Sequence, residues 1–432
     1  MATPSPRHPL AWVPTAYLAE GIPYAMVIWV AGTLFKDLGH SDSAITVGLG
    51  SIAIAWSLKP FWAAFLDMFR SKRFFVLTME LLLALLLGLI ALALPLPGYF
   101  QIIIAILWVL AFASATQDIC VDGIYVTSLD PAMQARYIGV QGMAWNVGRI
   151  FATALVVWVA GTLQADGGYA PKLAWAIAIG LSAAAMAALA LYHMAMLPPG
   201  SRTTTASSSA EVVATFLDTL RDFFRKDAIW GMLAFVFLFR SAEGLLLVEA
   251  PLFLQAPLED GGLGLTLIQK GVIDGTISTA AAIGGGLLGG VFVSRYGLKR
   301  TLFFLALCVN VPNLCYVYLA WAVGPDAPLS MTTITLLVTI EKFGYNFGFV
   351  ANMLYMMQQI SPGRYQMTHY AFCTALMNLV LIPTQMASGP LADWMGYRVY
   401  FVFVIVATIP SLVVAKIAPF PRAELAEESP PS

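Results

Sequence analysis

The sequence predicts an all-α polytopic membrane protein of 12 transmembrane helices in two six-helix halves. Composition is the first reason. The chain is 59% hydrophobic and 11% charged, with a mean hydropathy of +0.79, against roughly 45–50% apolar residues in soluble domains. The second reason is length. A spanning helix needs about 20 mostly apolar residues, and such runs fall at 11–35, 44–67, 74–96, 99–126, 137–163, 172–197, 228–254, 266–293, 301–323, 330–358, 366–391 and 399–419. The third is "PPGSRTTTASSSAEVVATFLDTLRDFFRK", the long polar stretch that divides these runs six and six. The expected organisation is a six-helix bundle at 1–197, a cytoplasmic linker at 198–227, a second bundle at 228–419 and a cytoplasmic tail at 420–432.

The opening segment "MATPSPRHPLAW" is short and shows no cleavage-site pattern before the first apolar run, so that run reads as a retained span. The linker starts Ser/Thr-rich. Ser208-x-x-Glu211 then reads as a capping box, and Val212, Val213, Phe216, Leu217, Leu220, Phe223 and Phe224 recur at helical spacing against Asp218, Arg221, Asp222 and Arg225. That pattern predicts an amphipathic helix on the membrane surface, with a docking helix as the alternative.

Basic residues set the orientation. With the N-terminus cytoplasmic, the inner segments hold Arg7, Arg70, Lys72, Arg73, Arg136, Arg202, Arg221, Arg225, Lys226, Arg295, Lys299, Arg300, Arg364, Lys416 and Arg422. The outer loops hold only Lys36, Lys172, Lys270 and Arg398. Both termini are therefore expected in the cytoplasm. The net charge of −1 offers no broad basic surface, which excludes nucleic acid as an expected partner. Cys120, Cys308, Cys315 and Cys373 lie in apolar runs without CxxC or Cys/His spacing, so neither a disulfide, a metal nor a cofactor is implied.

The halves echo each other. Ala19-Glu20-Gly21 recurs as Ala242-Glu243-Gly244, 223 residues on, and the same offset carries Asp118 onto Glu341. A parallel duplication of six-helix units is the plan of the major facilitator superfamily. Buried charge is consistent with that plan. Glu20, Lys59, Asp118, Asp122, Arg149, Arg240, Glu243, Glu249, Asp274, Glu341 and Lys342 fall in spans expected to line the cavity, and Glu80 in span 3 is the exception. An ionisable group facing lipid costs about 2.5 kcal/mol or more, so these groups are expected to face one another or water.

Asp118 and Asp122, at i and i+4, share one face of span 4 with Gln117 beside them. Asp118 lies roughly 14 Å from the inner end of its span, and Arg149 roughly 18 Å into the next, at 1.5 Å per residue. An Asp118–Arg149 pair is the natural reading, with Lys59 available to Asp122. The expected proton-coupling residues are Asp118, Asp122, Glu20, Glu243 and Glu341, and their charge-pair partners Arg149, Lys59, Arg240 and Lys342. A permanent structural ion pair is the competing reading. Gly21-Ile22-Pro23 interrupts span 1, where a freed carbonyl or a simple kink is expected.

Asp67, Arg70 and Arg73, after span 2, resemble the major facilitator loop signature and are expected to form a gating loop. "GPLADWMGYR", after span 11, has related spacing. Tyr24, Gln117, Trp145, Asn146, Tyr345, Asn346 and Asn378 are the expected substrate-binding residues, amides for hydroxyl and acetamido groups and aromatics for rings. His193 and His369, near inner span ends, read as interfacial.

"SATQDICVDGIY", "YLAEGIPYAM" and "LKPFWAAFLD" together resemble the AmpG-like permeases of the peptide/acetyl-coenzyme A/drug transporter group, most clearly over residues 11 to 165. The resemblance implies proton-driven uptake across a bacterial inner membrane of anhydro-muropeptides or N-acetylated amino-sugars. Asp118 and Asp122 fall on the family's two acids, and Arg149 on a basic position. Partners expected are the small solute, protons and the lipid bilayer, with the chain a monomer. A siderophore or acyl-coenzyme A permease is the alternative; for the latter, the buried acids outnumber the cations that its phosphates would need. A membrane enzyme is disfavoured, since no HExxH, GxSxG or Cys/His cluster is present.

Overall fold

The computed structural model describes residues 8–59, 61–63, 66, 71–199, 209–324, 328–363 and 365–421, and its elements are all helical. In order these are α1 (Pro9–Asp37), α2 (Asp42–Leu49), α3 (Lys72–Ala93), α4 (Tyr99–Ser128), α5 (Pro131–Ile150, carried on by Phe151–Val156 and Val157–Ala165) and α6 (Pro171–Met196). There follow α7 (Ser209–Phe224), α8 (Ile229–Leu238), α9 (Glu243–Gln255), α10 (Leu267–Tyr296), α11 (Leu298–Ala322), α12 (Met331–Tyr355), α13 (Gln366–Ala407) and α14 (Ile409–Ile417). Among the described residues, nine helical stretches are long and apolar enough to cross a membrane.

The expected span 44–67 includes residues outside the described set; described there are α2, a short helix at Ile54–Ser57 and helical residues at 61–63 and 66. The expected span 330–358 is the 25-residue α12, which carries Glu341 and Lys342. The last two expected spans run together as Thr368–Ile417. The reversal between them sits at Gly396, whose φ of 71° belongs to the left-handed region that only glycine enters cheaply.

α3 shows how the solvent sorts a helix. Val76, Glu80, Leu83, Leu87 and Ile90 are buried at helical spacing, while Leu81, Leu85, Leu89 and Leu92 are exposed apolar residues on its other side, suited to lipid. In α1, Pro23 lacks the N–H that would bond to the preceding turn, yet the helix runs through it, and a π-type turn follows at Met26–Val30.

The chain forms two compact units, one of residues 1–40, 61–212 and 266–275, the other of 41–60, 213–265 and 276–432. In the first, α1 crosses α5 at Gly21 and Gly148. A β-carbon on Gly21 would overlap the Trp145 carbonyl oxygen and come 3.1 Å from the Arg149 nitrogen. In the second, Gly244 meets Leu381 and Thr384 of α13 in the same way. The Ala-Glu-Gly repeat thus marks the place where each half brings two backbones into contact, and small residues are what such crossings require. Gly21→Ala is expected to lower the unfolding temperature in detergent by separating α1 from α5, at a cost of about 1–3 kcal/mol.

In the second unit, α7 docks on α13. Phe216 and Phe223 meet Phe372 edge-on, with ring centroids 5.5 and 5.9 Å apart, and Phe223 is 1% exposed. The Tyr365 hydroxyl donates to Asp218 at 2.7 Å. Lys226, just beyond α7, donates to the carbonyl of Pro362 at 3.0 Å and also to that of Ile360, placing a cation at a helix C-terminus. The stripe that reads as membrane-facing in the sequence is therefore partly spent on protein; Val213 and Leu217 remain exposed. Ser208 of the expected capping box lies outside the described residues.

Candidate functional site: buried charge in the two units

In the first unit, carboxylates gather around one phenol. The Tyr17 hydroxyl donates to Asp122 Oδ1 at 2.8 Å, and Glu20 and Asp118 lie within Coulomb range of it. Tyr17 is 2% and Glu20 4% exposed. α1 supplies Tyr17 and Glu20 at i and i+3, and α4 supplies Asp118 and Asp122 at i and i+4, so each helix presents its pair on one face. A phenol among acids can stabilise one carboxylate while the others exchange protons. The sequence reading missed Tyr17; its spacing from Glu20 was the available signal.

Beside this cluster stand the aromatic residues. Tyr24 lies 5.5 Å from Trp145 and 5.6 Å from Trp29, centroid to centroid. The Arg149 guanidinium sits 4.7 Å over the Trp29 ring. Asp274 of α10, which lies 3.5 Å from Lys270, is the carboxylate whose field acts most on Arg149. Asp118, the partner expected from matched depths, lies within Coulomb range of Tyr17.

The second unit carries a cleft of about 430 Å³ including its open mouth, lined by Phe239, Arg240, Glu243, Asn313, Glu341 and Lys342 among others. It forms where the expected seventh span breaks. α8 ends at Leu238 and α9 opens at Glu243, so Glu243 sits at a helix N-terminus, where the dipole favours an acid. The carbonyl of Phe239, freed by the break, accepts from the Ser411 hydroxyl at 2.7 Å. Irregular backbone at membrane depth survives only when satisfied in this way.

Within the cleft Arg240 clasps Glu243 through Nε and Nη2, a bidentate pair, and the Tyr345 hydroxyl also donates to Glu243. The same guanidinium reaches Asn378 Oδ1 at 3.4 Å and covers the Phe349 ring at 4.9 Å. Lys342 Nζ lies 3.1 Å from Glu341, which also accepts from Tyr316 at 3.3 Å. Cations and acids therefore alternate along one wall, suited to a solute with both polar and charged groups. Arg240, Glu243, Tyr345 and Asn378 are brought together as one constellation, and Glu341 with Lys342 as its neighbour.

Other expected residues are placed differently. Gln117 is fully buried and gives its amide to Glu80 Oε1 at 3.2 Å, a tie between α4 and α3 rather than a face offered to solute. Asn146 and Asn346 donate to carbonyls of their own helices, Gly142 and Lys342, both at 2.9 Å. His193 and His369, expected at the interface, are each 0% exposed, because Glu80 and Thr15 satisfy the first and the Thr219 carbonyl binds the second. Lys59 is half-buried just beyond the short helix at Ile54–Ser57. Of the gating loop, Asp67 and Arg70 lie outside the described residues. Arg73 donates to the Met194 carbonyl, joining α3 to the end of α6. In the "GPLADWMGYR" segment, Asp393 accepts from the Ser43 amide at 3.0 Å in the first turn of α2, and Arg398 donates to Ala320 and Val323 carbonyls at 3.1 and 3.0 Å at the end of α11. The acid caps an N-terminus and the base a C-terminus.

Membrane-spanning helices that bury this many ionisable groups beside a polar cleft define a membrane transporter. The Major Facilitator Superfamily model matches residues 15–368, and the chain belongs to that family. Among curated relatives it is similar to Putative transporter AmpG 4 of Rickettsia conorii, 21% identical over 92% of this chain and 93% of the relative. It is also similar to the anhydromuropeptide permease of Escherichia coli K12, 24% identical over 91% of this chain and 76% of the relative. Among solved structures, a bacterial homolog of the human lysosomal transporter Spinster superposes with a TM-score of 0.73 at 15% identity, over 100% of both chains. A D-xylose-proton symporter superposes with a TM-score of 0.68 at 13% identity, over 96% of this chain and 98% of that one. The resemblance to AmpG-like permeases and the all-α major facilitator fold are thereby borne out.

Proposed function

We propose that this chain is a proton-coupled importer of an anhydro-muropeptide or a related N-acetylated amino-sugar from cell-wall turnover. It works by alternating access in a bacterial inner membrane, as a monomer with both termini in the cytoplasm and with the bundles at 1–197 and 228–419 as its moving halves. The observation that carries the reading is the cluster of Glu20, Asp118 and Asp122 about Tyr17, acids kept at membrane depth on the helices that bear the AmpG-like motifs. Similarity to an anhydromuropeptide permease along 91% of the chain supports the solute class. In the other unit Arg240, Glu243, Tyr345 and Asn378 offer donors and acceptors for hydroxyl, acetamido and carboxylate groups.

In proteoliposomes, N-acetylglucosaminyl-anhydro-N-acetylmuramic acid is expected to exchange in counterflow and to accumulate when an inward proton gradient is imposed. A protonophore should abolish accumulation while leaving counterflow. Accumulation that survives collapse of the gradient would refute proton coupling, and absence of counterflow would refute the solute.

A further inference from the structure

Away from the carboxylates around Tyr17, the first unit buries a second titratable group. Glu80 of α3 and His193 of α6 are both 0% exposed, and His193 Nδ1 lies 2.7 Å from Glu80 Oε1. Two wirings satisfy these contacts. If the Thr15 hydroxyl donates to His193 Nε2, 3.0 Å away, Nδ1 carries the ring hydrogen and gives it to a Glu80 carboxylate. If it donates instead to the Trp12 carbonyl at 3.1 Å, Nε2 carries hydrogen, Nδ1 of the neutral ring is a bare acceptor, and its 2.7 Å contact with Glu80 needs one further proton.

Buried orphan atoms say which. Glu80 Oε2 and Gln117 Oε1 are buried with no hydrogen-bond partner, so the cluster has more acceptors than donors. A carboxylate with one bare oxygen in an apolar interior pays far more than a neutral acid with one bare carbonyl oxygen. The proton belongs on Glu80, which donates it to Nδ1 while its Oε1 also accepts from Gln117. The surrounding helices also carry Tyr17, Glu20, Tyr24, Lys36 and Asp37 (α1), Lys72 and Arg73 (α3), Tyr99, Asp118, Cys120, Asp122 and Tyr125 (α4), and Lys172 and Tyr192 (α6). Of the phenols, Tyr17 is committed to Asp122 at 2.8 Å and Tyr192 to the Ala11 carbonyl at 2.6 Å.

We propose that Glu80 and His193 form a proton-binding site separate from the carboxylates around Tyr17, loaded in this conformation, whose proton ties α1, α3, α4 and α6 into one body. Without the proton the imidazole must turn its hydrogen to Nδ1, and α3 and α6 then enclose an uncompensated carboxylate with one bare oxygen. The site is a pH-sensitive lock, and it does not depend on the solute or on which acid couples transport.

The test uses the full chain purified in detergent. The infrared spectrum at neutral pH is expected to show the carbonyl stretch of a protonated carboxylic acid, and Glu80→Gln should remove part of that band. The amide nitrogen of that variant takes the place of Oε1, donating one N–H to Nδ1 and the other to Gln117 Oε1 once that side-chain amide turns over, so it should fold. The wild-type unfolding temperature is expected to fall as pH rises from 6 to 9, since the folded state holds a proton that the unfolded chain releases; in Glu80→Gln that slope should be lost. His193→Asn is the second variant. Its amide can donate to a carboxylate or accept from an acid, so its profile should also flatten. An unchanged band would overturn the proposal: with flattened profiles it would put the proton on the imidazole, and with profiles parallel to wild type in both variants it would make the contact a carboxylate–imidazole hydrogen bond that holds no further proton.

Discussion

Asp118→Asn is expected to abolish proton-driven accumulation and to leave solute exchange in place. The amide copies the shape and neutrality of a protonated acid, so a half-cycle that needs a neutral side chain continues, whereas the carboxylate that would take up and release a proton is gone. In proteoliposomes the accumulation ratio should drop to about one while counterflow persists, because a carrier that no longer senses the gradient can only equilibrate. Asp118 lies in the field around Tyr17, whose hydroxyl is already given to Asp122. Asp122→Asn keeps an acceptor oxygen for that hydroxyl, so lost accumulation in that variant would report the missing acid rather than a broken contact with Tyr17. Full accumulation by Asp118→Asn would transfer the coupling role to Glu20, Glu243 or Glu341.

Much of the fold was legible because the membrane imposes a strict length and hydropathy on each span. The duplication was legible too, in Ala19-Glu20-Gly21 and Ala242-Glu243-Gly244, since a close helix crossing leaves glycine few substitutes. What the repeat concealed is a difference between its copies. α1 runs unbroken through Glu20 and Gly21, whereas the second copy breaks before Glu243. No proline marks that break. It is held by tertiary contacts, the Ser411 hydroxyl on the Phe239 carbonyl and the Ser241 hydroxyl on that of Ala407, which no local pattern encodes.

The candidate site was legible by residue type and less so by partner. Ionisable residues at membrane depth are conspicuous in a sequence, and those named include Arg240, Glu243, Tyr345 and Asn378, which the fold assembles. Matched depth says nothing of helices distant in sequence: Asp274, over a hundred residues away, also acts on Arg149. Glu80 looked anomalous on a span expected outside the cavity, and His193 looked interfacial; the two anomalies resolve each other through a contact between α3 and α6. Similarly, the docking of α7 depends on Phe372 and His369, far along the chain.

Arg240→Ala is expected to be the most damaging single change in the second unit. The guanidinium is 7% exposed and grips both oxygens of Glu243, 9% exposed, while its plane covers Phe349. Removing it leaves a buried carboxylate with the Tyr345 hydroxyl but no cation. Breaking a buried pair from one side costs about 3–5 kcal/mol, most of it the penalty on the charge left behind. Arg240→Lys should recover only part of the loss, since an ammonium cannot reproduce the two parallel bonds of the fork. Glu243→Gln should in turn strand the guanidinium. The double variant Arg240→Ala with Glu243→Gln leaves neither charge, and its loss of thermal stability in detergent is expected to be smaller than the sum of the single losses. Its transport should nevertheless stay low, because the cleft has lost both a donor and an acceptor for solute. Strict additivity in the cycle would mean that the two side chains do not act as a pair, and wild-type transport by the double variant would remove this cleft from the solute's path.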